Sequence, residues 1–149
     1  MKKIMFLVLM FLGCALYATN VAAKNSVTLD ADLGSLIGAT ATGDFGWPVN
    51  LSAGGGYDFI GDGGTGFVNA NYPFELTKTT LLDAGTLYGT LGGGYRYLSD
   101  DDGTHIGEGI LGLTHEANNR WDLGFKTHLG AGNGFQWAAY ATIGYRFDI

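Results

Sequence analysis

The C-terminal stretch FQWAAYATIGYRFDI, from Phe135 to Ile149, alternates between two kinds of side chain. Its odd-numbered positions are all apolar or aromatic, and its even-numbered positions are polar or small apart from Tyr140. A period of two is the signal of a β-strand whose two faces meet different surroundings. The stretch therefore predicts a strand and leaves open which of its faces is in contact with water.

The same alternation recurs along the chain after residue 24, and turn-forming residues separate the runs. Each run is about ten residues long, whereas strands of soluble proteins usually have about five or six. The further strands predicted in this way cover residues 27–33, 49–59, 68–74, 87–97, 104–115 and 121–131. The separating turns are predicted at 41–46, 61–66, 99–103, 116–120 and 130–134.

One further strand rests on a topological argument. The segment ELTKTTLLDAG at 75–85 shows little alternation, and we assign a short strand to residues 76–83. This strand brings the count to eight, and an even count places both chain ends on the same side, as single-chain bacterial barrels require. The predicted fold class is all-β: an eight-stranded antiparallel up-and-down transmembrane β-barrel.

Glycines and aromatic residues indicate which face is wet. The polar face carries many glycines, which make room for larger neighbours inside a narrow barrel but would only weaken a solvent-facing strand. Aromatic residues stand near both ends of several apolar faces, about 25 Å apart along the axis, which is typical of the two girdles of a membrane barrel. The predicted girdle residues are Trp47, Tyr57, Phe59, Tyr95, Tyr97, Trp121, Phe135, Trp137, Tyr145 and Phe147. The opposite orientation would give a soluble, lipocalin-like carrier of apolar ligands.

The N-terminal segment has the features of a secretory signal peptide over residues 1–23. Lys2 and Lys3 precede an apolar stretch at 4–18, and small residues at 21–23 fit cleavage before Lys24. A short core helix is one alternative. Another is lipidation of Cys14, because FLGC at 11–14 resembles a lipoprotein signal. Cys14 is the only cysteine, so a cleaved chain would contain no disulfide.

The charge balance limits the class of partner. Without Lys2 and Lys3 the chain has six basic and fourteen acidic residues, a net charge of −8. Nucleic-acid binding needs Lys and Arg clusters, and no basic patch is visible, so we expect no nucleic-acid partner. The chain length fits one domain, which we expect to be monomeric.

The last eight residues, TIGYRFDI, resemble the terminal signal of bacterial outer-membrane barrels. Thr142, Gly144, Phe147 and Ile149 occupy the positions of that signal, although the family usually ends in Phe or Trp. Size and strand count are similar to the small eight-stranded group, the OmpX type and the OmpA transmembrane domain. The resemblance implies an outer-membrane barrel over residues 24–149, in contact with lipid and lipopolysaccharide, that the barrel-assembly machinery recognises through its C-terminal strand.

Several charged residues have inward parity, and an unpaired charge in a narrow lumen is costly. If residue 27 lies opposite residue 149, Asp30 faces Arg146. By similar reasoning Glu108 approaches Lys126, with Arg96 nearby. These pairs predict a polar core that fills the barrel, and the alternative is a narrow pore for small solutes or ions.

Signals for catalysis are weak. The histidines are His105, His115 and His128, and no serine stands in a recognisable motif with any of them. The acidic turn at 99–103 lacks the spacing of an EF-hand. We therefore expect no catalytic residue, cofactor or metal, and a structural or surface-interaction role in the cell envelope. A lipid-modifying outer-membrane enzyme is a further alternative.

Overall fold

A computed structural model describes residues 25–80, 83–100 and 102–149. Eight strands in chain order form one closed barrel in which every neighbouring pair is antiparallel. The strands are β1 (Ser26–Gly34), β2 (Leu36–Asp44), β3 (Asn50–Asp58), β4 (Gly63–Thr79), β5 (Gly85–Ser99), β6 (Thr104–Ala117), β7 (Trp121–Ala131) and β8 (Phe135–Asp148). The predicted all-β, eight-stranded, up-and-down fold is confirmed. The predicted signal peptide and the possible lipid attachment at Cys14 lie outside the described residues.

The first and last strands close the barrel. They pair from Ser26↔Asp148 to Gly34↔Tyr140. The start of β1 and the end of β8 therefore lie at the same end of the barrel, which we call the terminal end. The opposite end, with the connections at 35, 59–62, 100, 102–103 and 132–134, is the far end. Among the residues that the structure describes, no helix is long and apolar enough to cross a membrane.

The count of eight is right, but one strand was missed and one predicted strand is wrong. The strand β2 was missed because its outward positions carry small residues such as Ala39 and Ala41, which give little apolar contrast with Thr40. The separate strand predicted at 76–83 does not exist: its first four residues end the long strand β4, after a bulge between Glu75 and Thr77. Residues 81 and 82 lie outside the described part of the chain.

The side chains follow the predicted orientation. Most large apolar residues point away from the barrel axis, and Phe125 and Trp137 are 51% and 45% exposed. Lys126 and Arg146, on the same two strands, lie on the opposite, inward side, where both line a cavity. The wall is therefore apolar outside and ionic inside, the reverse of a soluble barrel.

Candidate functional site: a lumen with a plug and a vestibule

A buried ionic network fills the far half of the lumen. The Arg96 guanidinium lies 2.7 Å from an Asp58 carboxylate oxygen and 3.1 Å from a Glu108 carboxylate oxygen. Glu108 also contacts His128 Nδ1 at 2.9 Å, and the Tyr140 hydroxyl lies 2.6 Å from His128 Nε2. These five residues, which we call the plug, come from five different strands, so the network ties the far half of the wall together.

Glycines make room for the plug. Glu108 is opposite Gly94 on β5 and opposite Gly130 on β7, so no side chain flanks it at either register position. The ring of Phe67 likewise lies over Gly54, where an added Cβ would collide with it. These inward glycines have the role that the sequence predicted for them.

An apolar layer completes the closure at the far end. Leu36 and Phe67 are buried together with the plug residue Tyr140 in one cluster. The Phe67 ring meets the His128 ring edge-on, with 5.4 Å between centroids. Leu98 and Ile106 are also fully buried in this half. The far half of the lumen is therefore packed with side chains.

The terminal half contains a polar cavity of about 100 Å³, which we call the vestibule. Its charged lining residues are Asp30, Asp44, Glu116, Asp122, Lys126 and Arg146. Hydroxyl and amide side chains supply most of the remaining lining, and all the lining residues come from the terminal half of the strands. As far as the structure describes the chain, the lumen thus has a cavity in its terminal half and packed side chains in its far half.

Ion pairs link different strands inside the vestibule. Lys126 Nζ lies 3.4 Å from Asp30 Oδ2, and Arg146 forms a close ion pair with Glu116. Arg146 also donates to the carbonyl oxygen of Ala117 at 3.1 Å. These pairs match the two vestibule cations with one carboxylate each.

All five residues predicted to form lumen charge pairs lie inside the barrel, but the partners differ. The predicted pair of Asp30 with Arg146 is wrong, because Val27 pairs with Phe147 and the register is shifted by two residues. Glu108 contacts Arg96, as its predicted proximity suggested, whereas the close partner of Lys126 is Asp30. The sequence did not predict that Asp58, His128 and Tyr140 join this network, although their even-numbered parity already placed them inward.

The ten predicted girdle residues lie on the outer wall in two groups. Near the far end stand Tyr57, Phe59, Tyr95, Tyr97, Phe135 and Trp137, and near the terminal end stand Trp47, Trp121, Tyr145 and Phe147. Ring contacts link members of each group, as between Tyr57 and Phe59 at 5.1 Å and between Trp121 and Tyr145 at 5.3 Å. Trp137 and Tyr145 are eight positions apart on β8, which corresponds to about 20 Å along the barrel axis for a strand tilted by about 40°.

The four residues of the predicted assembly signal lie at the terminal end of β8. Thr142 and Gly144 face inward and are buried, whereas Phe147 and Ile149 face outward and are exposed. A Cβ at Gly144 would collide with the Asp30 carboxylate, so the glycine is needed beside that ion pair. Ile149 N donates to the Asn25 carbonyl oxygen at 2.9 Å, next to the end of the strand pairing.

The three histidines lie in separate surroundings. His105 contacts Tyr95 and Tyr97 on the outer wall, His115 is buried, and His128 belongs to the plug. Within the described ranges, no group of three or more His, Cys, Asp or Glu side chains could hold a metal ion.

The acidic turn between β5 and β6 is organised by Asp100. Its carboxylate accepts the Thr104 hydroxyl at 2.6 Å and the Thr104 N–H at 3.0 Å. The Thr104 hydroxyl bond, followed by backbone N–H groups, holds the pKa of Asp100 below its usual range. The turn is therefore shaped by its own hydrogen bonds.

Comparison with solved structures finds a similar fold in the crystal structure of the N-terminal β-barrel domain of Pseudomonas aeruginosa OprF. The two share 16% sequence identity at a TM-score of 0.55, and the match covers 83% of this chain and 96% of that chain. At this identity the likeness shows the fold alone. No protein-family model and no curated protein sequence matches the chain. The predicted resemblance to small eight-stranded outer-membrane barrels is confirmed at the level of the fold.

Proposed function

We propose that the protein is a monomeric, non-enzymatic β-barrel of the bacterial outer membrane that supports the cell envelope. The observation that carries this proposal is the sidedness of the wall. Apolar side chains face outward between two aromatic groups, while the charges of the lumen face inward. In lipid every backbone polar group must be paired, and a closed barrel leaves no free edge along its span.

The outer wall of the barrel also indicates which partners the protein contacts. The aromatic groups lie where the headgroup regions of a membrane would be, so the barrel contacts lipid and, on the outer leaflet, lipopolysaccharide. The exposed Phe147 and Ile149 at the end of β8 are available to the barrel-assembly machinery. The fully described far-end connections, at 35, 59–62 and 132–134, have one, four and three residues and offer little surface for adhesion, which favours support over surface interaction.

The observations favour a role in supporting the cell envelope over the function of a narrow pore. Plug and apolar layer fill the far half of the lumen, whereas conduction needs a continuous aqueous path. In planar bilayers we expect no stepwise conductance from the purified protein, and regular steps would favour the pore. Mass analysis of lipid A from cells with and without the protein tests the enzymatic alternative.

Cell fractionation with gel electrophoresis tests the membrane assignment. We expect the protein in the outer-membrane fraction, with a different gel mobility before and after heating because the barrel unfolds only on heating. A soluble periplasmic protein without a mobility shift would refute the proposal and favour the carrier of apolar ligands.

A further inference from the structure

The turn between β7 and β8 contains the one asparagine of the chain that glycine follows. Asn133 and Gly134 lie in this turn, outside the strands, and both are exposed. Gly134 has a φ of 143°, which residues other than glycine rarely adopt, and a Cβ built on it would meet no atom within 4 Å. Within the described ranges its N–H makes no hydrogen bond. The backbone nitrogen that follows Asn133 is therefore neither shielded nor held by a partner.

This arrangement favours a reaction within the chain. The Gly134 nitrogen can attack the side-chain carbonyl carbon of Asn133, because the ring that forms has five members. The new C–N bond replaces the bond to the side-chain amide nitrogen, which leaves as ammonia, and the proton that the Gly134 nitrogen loses balances the proton that ammonia gains. Water then opens this succinimide at either carbonyl, which leaves aspartate or isoaspartate at position 133. The only reactant besides the chain is water.

The Asn133 side chain connects two turns of the far end. Its Nδ2 donates a long hydrogen bond of 3.4 Å to the Thr104 hydroxyl oxygen, and that hydroxyl donates to Asp100 at 2.6 Å. A carboxylate at position 133 has no proton to donate, and it would bring a second negative charge close to Asp100. The charged residues of the described far-end connections are already all acidic, namely Asp62, Asp100 and Asp102. A carboxylate at position 133 would therefore weaken the contact between the turns and make an acidic end more acidic.

We propose that Asn133 is a site of spontaneous deamidation through a succinimide, and that this modification adds negative charge to the far end and loosens its contact with Thr104. This inference concerns the turn alone and does not require that the barrel lie in a membrane.

The test is incubation of the folded protein in a non-ionic detergent at mildly alkaline pH, followed by peptide mass spectrometry and an assay for isoaspartate. Asn119 is the internal control, because it also lies exposed in a turn but precedes Arg120, whose side chain shields the backbone nitrogen. The Asn119 Oδ1 is also held by the Trp121 N–H at 3.2 Å. We expect Asn133 to convert at least about tenfold faster than Asn119, with isoaspartate among the products. Equal rates at the two positions, or aspartate without isoaspartate, would overturn the proposal.

Two variants locate the reaction and its effect. Asn133→Gln keeps a side-chain amide but would need a six-membered ring, so the loss of ammonia from this turn should slow at least about tenfold; an unchanged rate would overturn the site. Asn133→Asp carries the charge of the product and should raise the lowered pKa of Asp100 in an NMR pH titration, because like charges disfavour ionisation. Asn119→Asp adds the same charge at the terminal end and should leave that pKa where it is. If Asn133→Asp also leaves it unchanged, the proposed link between the two turns is wrong.

Discussion

Replacing Arg96 with methionine tests whether the far half of the lumen is a dry, packed interior. Arg96 is 1% exposed, and its guanidinium contacts both Asp58 and Glu108. Methionine has a similar length without the charge, so the substitution leaves two buried carboxylates without their shared cation. The plug retains its shape but loses the charge that balances it.

The expected loss of stability follows from these two contacts. A hydrogen bond to a charged group contributes about 1.5–3 kcal/mol. Removing one member of a buried ion pair typically costs about 3–5 kcal/mol, because a buried charge stays behind. We therefore expect Arg96→Met to lower the free energy of unfolding by roughly 3–5 kcal/mol. Neutralising both carboxylates in Asp58→Asn/Glu108→Gln should recover part of this loss.

Lys126→Met is the matched control. It also removes a cation from the lumen, but the Lys126 side chain is 17% exposed and makes one contact of 3.4 Å in the wet vestibule. We expect a loss of about 1 kcal/mol or less. Urea titration of the protein folded into lipid vesicles measures both values, with the outward tryptophans as fluorescent reporters. If both variants lose the same amount, the two halves of the lumen are equally wet and the distinction between plug and vestibule fails.

Three further predictions concern the wall, the inward glycines and the acidic turn. Ala141→Arg, in the middle of the outer face of β8, should cost about 2–4 kcal/mol in a bilayer, measured by the same titration; a change near zero would mean that this face meets water. Gly54→Ala should cost about 1–3 kcal/mol because its Cβ collides with an aromatic ring, whereas the outward Gly109→Ala has free space and should change stability by less than about 0.5 kcal/mol; similar costs would contradict the packing. The lowered pKa of Asp100 means that its stabilisation of the turn is present at neutral pH and is lost only as the pH falls through that lowered value. Thr104→Val should raise this pKa toward the usual range in an NMR pH titration, and an unchanged pKa would rule out the hydroxyl as its cause.

Alternation of side chains was sufficient to predict most of the barrel, because each strand has one face toward the axis and one away from it. The alternation is too weak to predict β2, where Ala39 and Ala41 are too small to mark the outward face. It is also lost at the end of β4, where the bulge between Glu75 and Thr77 breaks the period of two. The signal for a strand is the difference in polarity between its two faces. Small outward residues or a bulge remove this difference.

Parity also predicted which charges lie inside, but not which of them meet. The partner of Asp30 depends on how far each strand is shifted against the next, and a shift of two residues at the closure leaves parity unchanged. Two register choices therefore share one pattern of inward and outward residues. The contact of Arg96 with Asp58 further links β5 to β3, two strands apart around the wall, and neighbour-by-neighbour reasoning did not reach it.

The vestibule at the terminal end of the lumen has an electrical consequence. Water and ions in the vestibule share the potential of the solution at the terminal end, so a voltage applied across a planar bilayer would fall mainly across the packed far half. Arg96 and its two carboxylates would then lie inside the field, while Lys126 and Arg146 would lie largely outside it. Reversing the voltage would reverse the electrical force on Arg96 and its two carboxylates. It would change the force on Lys126 and Arg146 very little.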